Sequence, residues 1–290
     1  MMKNKVVIIG SNGMAGHLIS DYLTLNPKFE IVRIARDSSI KKTDYQIDVS
    51  DFIALDQLIS NLKPDYIINA IGVLNADAEN NPDRAVLLNS YFPHFLAKIC
   101  DKYESRLFHI STDCVFNGKK GSYLENDFKD GIGFYAQSKA VGEVNYHNHI
   151  TIRTSIIGPE IKRNGIGLLN WILLQNDKIN GYSEAFWGGV TTLELAKAIE
   201  FFILQKIGGV NIYHLTNSEK ISKFDLLRIV NEVFNLKLNI SSSSEYKVDK
   251  SLVNSNKSID YSVPSYQIMI EEMHNWIRKN SVSYPQYNIE

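Results

Sequence analysis

Lys5-Val6-Val7-Ile8-Ile9-Gly10-Ser11-Asn12-Gly13-Met14-Ala15-Gly16 runs from an unbroken apolar stretch into a turn spaced by glycines. An apolar run of this length without alternation predicts a strand buried on both faces, the state of a central parallel strand. The glycines then predict a tight turn into a helix, about Met14 to Leu25, whose N-terminal amides can approach an anion. Working outward, short β-branched runs alternate with helical patterns. Strands are predicted at Glu30–Ile34, Tyr45–Val49, Tyr66–Asn69, Arg106–Ile110 and His149–Arg153. Between them come a helix capped by Ser50 or Asp51, a long helix from Pro82 to about Tyr103, and a helix from Phe134 to Tyr146. This rhythm is that of βαβ units and a parallel sheet.

The fold class expected is therefore α/β: a Rossmann-type doubly wound parallel sheet with a smaller C-terminal substrate lobe. The division is placed at residues 1–155 for the nucleotide-binding domain and 156–290 for the lobe, which can interleave with it. Beyond residue 154 the rhythm loosens. Helical patterns appear at Leu168–Leu174, Leu193–Leu204, Ser222–Phe234 and Pro264–Lys279, and polar Ser241–Ser244 reads as a loop.

Composition narrows the function classes. With 290 residues, 44% of them hydrophobic, the chain can bury a sizeable core. A net charge of -1 gives no electrostatic case for nucleic acid or a membrane surface. Two cysteines, Cys100 and Cys114, make neither a disulfide framework nor a cysteine-rich metal site. The apolar run Val6–Ile9 is too short for a signal peptide and no later run is long enough to span a bilayer, so a cytoplasmic enzyme is expected.

The turn residues Gly10, Asn12, Gly13, Met14 and Gly16 are the expected pyrophosphate cradle of a dinucleotide. Their GxxGxxG spacing points to the short-chain dehydrogenase branch, and no Gly-Lys-Ser/Thr closes a Walker loop. The second strand ends Ile34-Ala35-Arg36. An acidic residue here would accept from the ribose hydroxyls of NADH, whereas arginine meets a 2′-phosphate, so Arg36 favours NADPH. Asp48 and Val49, at the end of the third strand, are expected at the adenine, although Asp48 reads equally well as a helix start. Asn69 and Ala70 follow the fourth strand into the same crevice.

Tyr135 and Lys139 form a YxxxK pair, which a helix places on one face. A phenol titrates near about 10, and a neighbouring ammonium is expected to lower that value for proton donation to a carbonyl oxygen. Ser111-Thr112-Asp113-Cys114-Val115-Phe116 directly follows the fifth strand. A hydroxyl at the carboxyl end of a central strand faces the crevice, so Thr112 can hold the carbonyl against the phenol.

With these motifs in order, the chain resembles the dTDP-4-dehydrorhamnose reductase family of extended short-chain dehydrogenases. The resemblance rests on the glycine-rich start, Asn69-Ala70, Asn89 and the segment Ser111–Phe116. It continues through Tyr123, Glu125 and Asp127, the Tyr135/Lys139 pair with Gly142-Glu143, Arg153, and Trp187 to Thr192. It implies reduction of the C4 keto group of a nucleotide-linked 4-keto-6-deoxy sugar, for cell-surface polysaccharide. It also implies catalytic roles for Thr112, Tyr135 and Lys139, the last two also holding NADPH. The chain departs from the family at Ala136, usually glycine, and at Cys114, commonly tyrosine.

Substrate contacts are expected from Thr112, Cys114, Val115, Phe116, Arg153 and Trp187, with Arg163 and Lys250 as further partners for a diphosphate. Trp187, flanked by Gly188 and Gly189, is the expected stacking platform, while Trp171 reads as core. Cys114 permits a second reading, because GDP-fucose synthase, similar in fold, combines reduction with epimerisation through a cysteine and a histidine. Against this, Ile166–Asn176 contains no histidine, and the plain reading of Cys114 is a small wall residue. A third, non-catalytic reading is suggested by the regulatory subunit of methionine adenosyltransferase, which resembles the same family. The seven histidines show no metal-ligand spacing, His147 and His149 reading as a solvated turn, and no metal site is expected. The partners expected are a nucleotide sugar and a second copy of the chain in a homodimer.

Overall fold

In the computed structural model, which describes residues 3–287, a seven-stranded parallel sheet forms the centre. Its strands are β1 (Asn4–Ile9), β2 (Phe29–Ala35), β3 (Tyr45–Gln46), β4 (Tyr66–Asn69), β5 (Arg106–Ser111), β6 (Ile150–Arg153) and, after four further short strands, β11 (Ile212–His214). Their order across the sheet is β3-β2-β1-β4-β5-β6-β11. The order reverses between β1 and β4, so a crevice opens outside their carboxyl ends, where such folds bind ligands. Val6 to Ile9 are completely buried, as an apolar run without alternation requires.

Helix α1 (Met14–Thr24) starts at the glycine turn, and a Cβ on Gly16 would collide with the Gly10 carbonyl. That close approach is why the turn tolerates no side chain there. Asp51 caps α2 (Phe52–Leu62) by accepting from the Ala54 amide. A short helix α3 (Asn75–Asn80) precedes the long helical stretch predicted from Pro82 to Tyr103. The stretch is not one regular helix. It is α4 (Pro82–Ala85), a π-helical turn over Val86–Tyr91, and α5 (Phe92–Lys102). Pro93 has no amide to donate to Asn89 four residues back, and its ring crowds that carbonyl, so the helix widens there. Helix α6 (Phe134–Val141) packs into the widened turn, ending five residues earlier than its sequence pattern suggests. A Cβ on Gly142 would strike the freed Asn89 carbonyl.

The chain after β6 makes β7 (Ile156–Ile157), α7 (Leu168–Leu173), β8 (Lys178–Tyr182), β9 (Ala185–Trp187) and β10 (Val190–Thr191). Helix α8 (Thr192–Leu204) then packs on α1, and β11 extends the sheet beside β6. The rest is β12 (Ile221–Ser222), α9 (Lys223–Val233), β13 (Asn239–Ser243), β14 (Val248–Asp249) and α10 (Tyr266–Lys279). The serine run expected to be a loop is largely strand: β13 pairs in parallel with β8 over Asn239–Ser243. Backbone pairing, not side-chain propensity, recruits it. One large core lies on the α1, α8 and α10 side of the sheet and a second on the α2 and α5 side.

Candidate active site

A cleft of 730 Å³ runs along the carboxyl ends of β1, β4, β5 and β6. Its walls include Asn12, Gly13, Met14 and Ala70 at one end and Thr112, Cys114, Tyr135 and Lys139 further along. A second hollow of 290 Å³ adjoins it, lined by Gly10, Arg36, Asp48, Val49, Arg84 and Lys162 among others. The first turn and the end of β2 therefore face one continuous space. Asn12 donates to the Asp37 and Lys41 carbonyls at 2.7 and 3.1 Å, which ties the glycine turn to the β2 loop. Its buried Oδ1 has no partner. Asn69 is buried beneath the cleft, its Oδ1 accepting from the Ile71 amide at 3.1 Å.

Helix α6 presents Tyr135 and Lys139 to the cleft together. The Glu79 carboxylate of α3 accepts from the Tyr135 amide at 3.2 Å, so a residue from another helix serves the N-terminus of α6. Lys139 is buried and donates to the Ile110 carbonyl at 2.8 Å. Burial lowers its pKa to about 8, although the carboxylate of Glu143 acts in the opposite sense. The phenol departs from the sequence expectation. Burial and the neighbouring Cys114 thiol hold the Tyr135 pKa well above the ordinary value, and only the Thr112 hydroxyl pulls it down. The Thr112 hydroxyl donates to Asp113 Oδ1 and accepts from the Cys114 amide, both at 3.1 Å. Burial also raises the Asp113 carboxyl, opposed by Lys250. Next to it, burial and Asp113 push the Cys114 thiol up to about 11, so a thiolate is disfavoured there.

A glycine turn, a strand-end hydroxyl and a tyrosine–lysine pair thus share one cleft. Residues 3–259 match the family model of the RmlD substrate binding domain. The chain belongs to this family. It is similar to the dTDP-4-dehydrorhamnose reductase of Aggregatibacter actinomycetemcomitans, 26% identical over 231 residues, 76% of each chain. Some other curated relatives align over shorter stretches, of 141 to 146 residues, this chain spanning only 41–46% of their length. Among solved structures it is similar to a hypothetical dTDP-4-dehydrorhamnose reductase from Sulfolobus tokodaii, at 26% identity and TM-score 0.77, over 90% of this chain and 98% of that one. It also superposes on the Bacillus anthracis dTDP-4-dehydrorhamnose reductase solved in complex with NADP, with TM-score 0.79 over 94% and 99% of the two chains. At 22% identity that likeness speaks for the fold.

Several residues expected at the substrate lie elsewhere in this member of the RmlD family. Arg153 is buried behind the cleft, where its guanidinium meets both oxygens of Glu143 at 2.8 and 2.7 Å and His214 at 2.7 Å. With Nε, Nη1 and Nη2 all engaged in the interior, this cation is not among the residues that line the cleft. Val115 and Phe116 are completely buried, Phe116 stacking on Tyr123 at 4.1 Å, because the 3₁₀ turn over Asp113–Val115 points them inward. Arg163 is exposed outside the cleft walls. The tryptophans nearly exchange roles. Trp187 lines the cleft but is 8% exposed and packs on Tyr266, whereas Trp171, expected in the core, is 40% exposed on the cleft rim. Helix α7 is too short to bury its apolar residues all round, and it sinks Leu169 and Ile172 instead.

His149 is buried rather than solvated. It accepts the Leu107 amide on Nδ1, so a neutral ring carries its proton on Nε2, 3.3 Å from Asp101. His147 meets the other Asp101 oxygen at 2.6 Å. Both lie at the end of the sheet opposite the cleft. Sequence reasoning missed Asp113, Lys162, Lys223 and Arg84, together with Leu74 and Asn75 at the start of α3, all of which line one hollow or the other. Only Asp113 carried a signal, as part of the Ser-Thr-Asp motif; the others arrive from segments distant in sequence, Arg84 on α4, Lys223 on α9 and Lys162 between β7 and α7.

Proposed function

We propose that the protein is an NADPH-dependent reductase acting on the C4 keto group of a nucleotide-linked 4-keto-6-deoxy sugar, in cell-surface polysaccharide synthesis. The observation that carries this reading is the union of Thr112, Tyr135 and Lys139 with the glycine turn along one cleft, in a chain of the RmlD family. The residues present fit the cofactor. Asn12 Oδ1 is a buried acceptor in want of a donor, and Arg36, Arg84 and Lys162 gather cationic charge around the smaller hollow. NADPH would lie with its diphosphate on the Gly10–Gly16 turn, its 2′-phosphate toward Arg36 and its adenine beside Asp48 and Val49. When bound, it supplies the hydride.

The chain's own residues do the rest. Tyr135 gives its phenolic proton to the carbonyl oxygen as negative charge gathers there. Thr112 orients that oxygen by hydrogen bonding. Lys139 holds the nicotinamide ribose and supports the phenolate left behind. Its buried amine releases a proton far more readily than a solvated lysine, which suits it to return a proton to Tyr135. Cys114 is a wall residue in this scheme. Its raised pKa and the absence of histidine among the described residues lining the cleft favour plain reduction over reduction with epimerisation.

The remaining elements of the proposal are a cytoplasmic location, a substrate lobe beginning near residue 156, and a homodimer. No helix among the described residues is long and apolar enough to cross a membrane. The homodimer has support in the exposed apolar side chains of Val86, Tyr91 and Val141 on neighbouring helical segments. Incubation with NADPH and dTDP-, UDP- and GDP-linked 4-keto-6-deoxy sugars tests the activity. Loss of NADPH absorbance with at least one of them is expected; no oxidation with any would overturn the reading.

A further inference from the structure

His109 lies directly behind Lys139, completely buried, in register with Asn69 on the adjacent strand. Its place in the hydrogen-bond chain can be assigned atom by atom. The Ile71 amide can only donate, and it donates to Asn69 Oδ1 at 3.1 Å. That fixes the amide, so Asn69 turns its Nδ2 to His109 Nδ1 at 3.1 Å. An amide nitrogen can only donate, so His109 Nδ1 must accept. A neutral ring then carries its proton on Nε2, and burial together with the Lys139 charge keeps the ring neutral. Nε2 faces Lys139 Nζ at 3.5 Å, the long limit of a hydrogen bond.

An ammonium placed there meets an N–H rather than a lone pair. A neutral amine would instead accept from Nε2 and still donate to the Ile110 carbonyl. The charged and titratable groups around Lys139 are Tyr135 on its own helix, Glu143 just past the end of that helix and His109 on β5, with His94 on α5 acting on His109. Glu143 alone favours the ammonium, and its oxygens are shared with Arg153, Lys129 and Ser111.

We propose that His109 is a positioning residue that presents an N–H to Lys139 and so weakens the hold of Lys139 on its third proton. The consequence for turnover rests on the reading of Lys139 as the partner of Tyr135. The polarity is set by the backbone of Ile71 and passes through Asn69, so it belongs to the fold and does not depend on a bound ligand. A lysine that gives up and retakes a proton easily can replace the one Tyr135 loses in each reduction, with solvent restoring the balance.

The test uses the full chain with ¹⁵N-labelled histidine rings and ¹³Cε-labelled lysine, followed by NMR as pH is varied. The Lys139 signal is assigned by its loss in Lys139→Met. In the wild type, His109 should show a neutral ring protonated on Nε2 throughout the neutral range. In His109→Leu, which removes the opposing N–H, the Lys139 midpoint should rise by about one pH unit or more. His109→Gln can accept from Asn69 through Oε1 and donate to Lys139 through Nε2, and it should hold the midpoint near the wild-type value. A ring protonated on Nδ1 in the wild type, or a midpoint unmoved in His109→Leu, would overturn the proposal. The tautomer is read in unaltered protein, so a misfolded variant leaves that arm intact. Neither readout needs a sugar, so a wild type that oxidises no NADPH would defeat the reductase reading and not this one.

Discussion

Tyr135 sits half-buried at the first turn of α6 with a phenol that its surroundings keep protonated, and a proton donor must be protonated to act. Positioned acid catalysis contributes roughly 10²–10⁴ in rate. Tyr135→Phe is therefore expected to cut turnover by about that factor, with NADPH binding retained in a fluorescence titration. Thr112→Val should cost less, because the proton donor stays in place. Arg36 is exposed at the end of β2, where a 2′-phosphate would meet it. Arg36→Ala should weaken NADPH roughly ten- to a hundredfold, as loss of a charge-assisted hydrogen bond does, and leave NADH nearly unchanged. Equal losses for both cofactors would contradict the assignment. Cys114→Ser should leave reduction largely intact.

The elements that carry the site were readable to very different degrees. Strands β1 and β4 announce themselves because the centre of a strand buried on both faces is apolar, and the glycine turn follows from the strand it closes. The YxxxK pair was legible because helical spacing alone puts Tyr135 beside Lys139. The widened turn at Val86–Tyr91 was not, since Pro93 marks a break in the hydrogen-bond ladder but does not say whether the helix ends, kinks or widens there. Asn89 bonds the Val73 amide and carbonyl and the Ser138 hydroxyl, locking the turn to α6. Arg153 was misplaced for a related reason: its partner Glu143 is ten residues away, and only the tertiary fold shows the pair to be sealed. Strand β13 escaped notice because backbone pairing makes a strand of serines. The packing of α6 yields a prediction of its own. Gly142→Ala would press a methyl into the Asn89 carbonyl, and overpacking of this kind costs about 1–3 kcal/mol. Urea denaturation should show that loss, and unchanged stability would mean the helix shifts freely.

Across the whole molecule, the buried pair of Arg153 and Glu143 joins the end of β6 to the segment that follows α6, while Glu125 and His214 carry the connection to the C-terminal segment at Ser255 and Val253. Burial raises the Glu143 carboxyl, but Arg153, Lys129 and Ser111 outweigh it and leave the group ionised below the usual range. Burial also keeps His17 and His214 neutral down to about 4, against 6.5 for a free ring. Between those values the unfolded chain binds more protons than the folded one. The stability from these histidines is therefore full above pH 6.5 and is lost as pH falls toward 4. Urea midpoints compared at about pH 7 and about pH 5 should differ by the equivalent of roughly 2 kcal/mol or more; a flat profile would show that these rings are already charged in the native state. The same architecture brings glycine turn, hydroxyl, phenol and amine to one cleft, and its central claim is hydride delivery to a sugar ketone. The most direct measurement uses NADPH deuterated at C4 of the nicotinamide, with the accepted nucleotide sugar, and locates the label in the product by NMR. One deuterium at C4 of the sugar, with none entering C3 or C5 when the solvent is D₂O and the cofactor unlabelled, is the predicted result. A product without deuterium at C4, or a sugar recovered with its ketone intact, would contradict it.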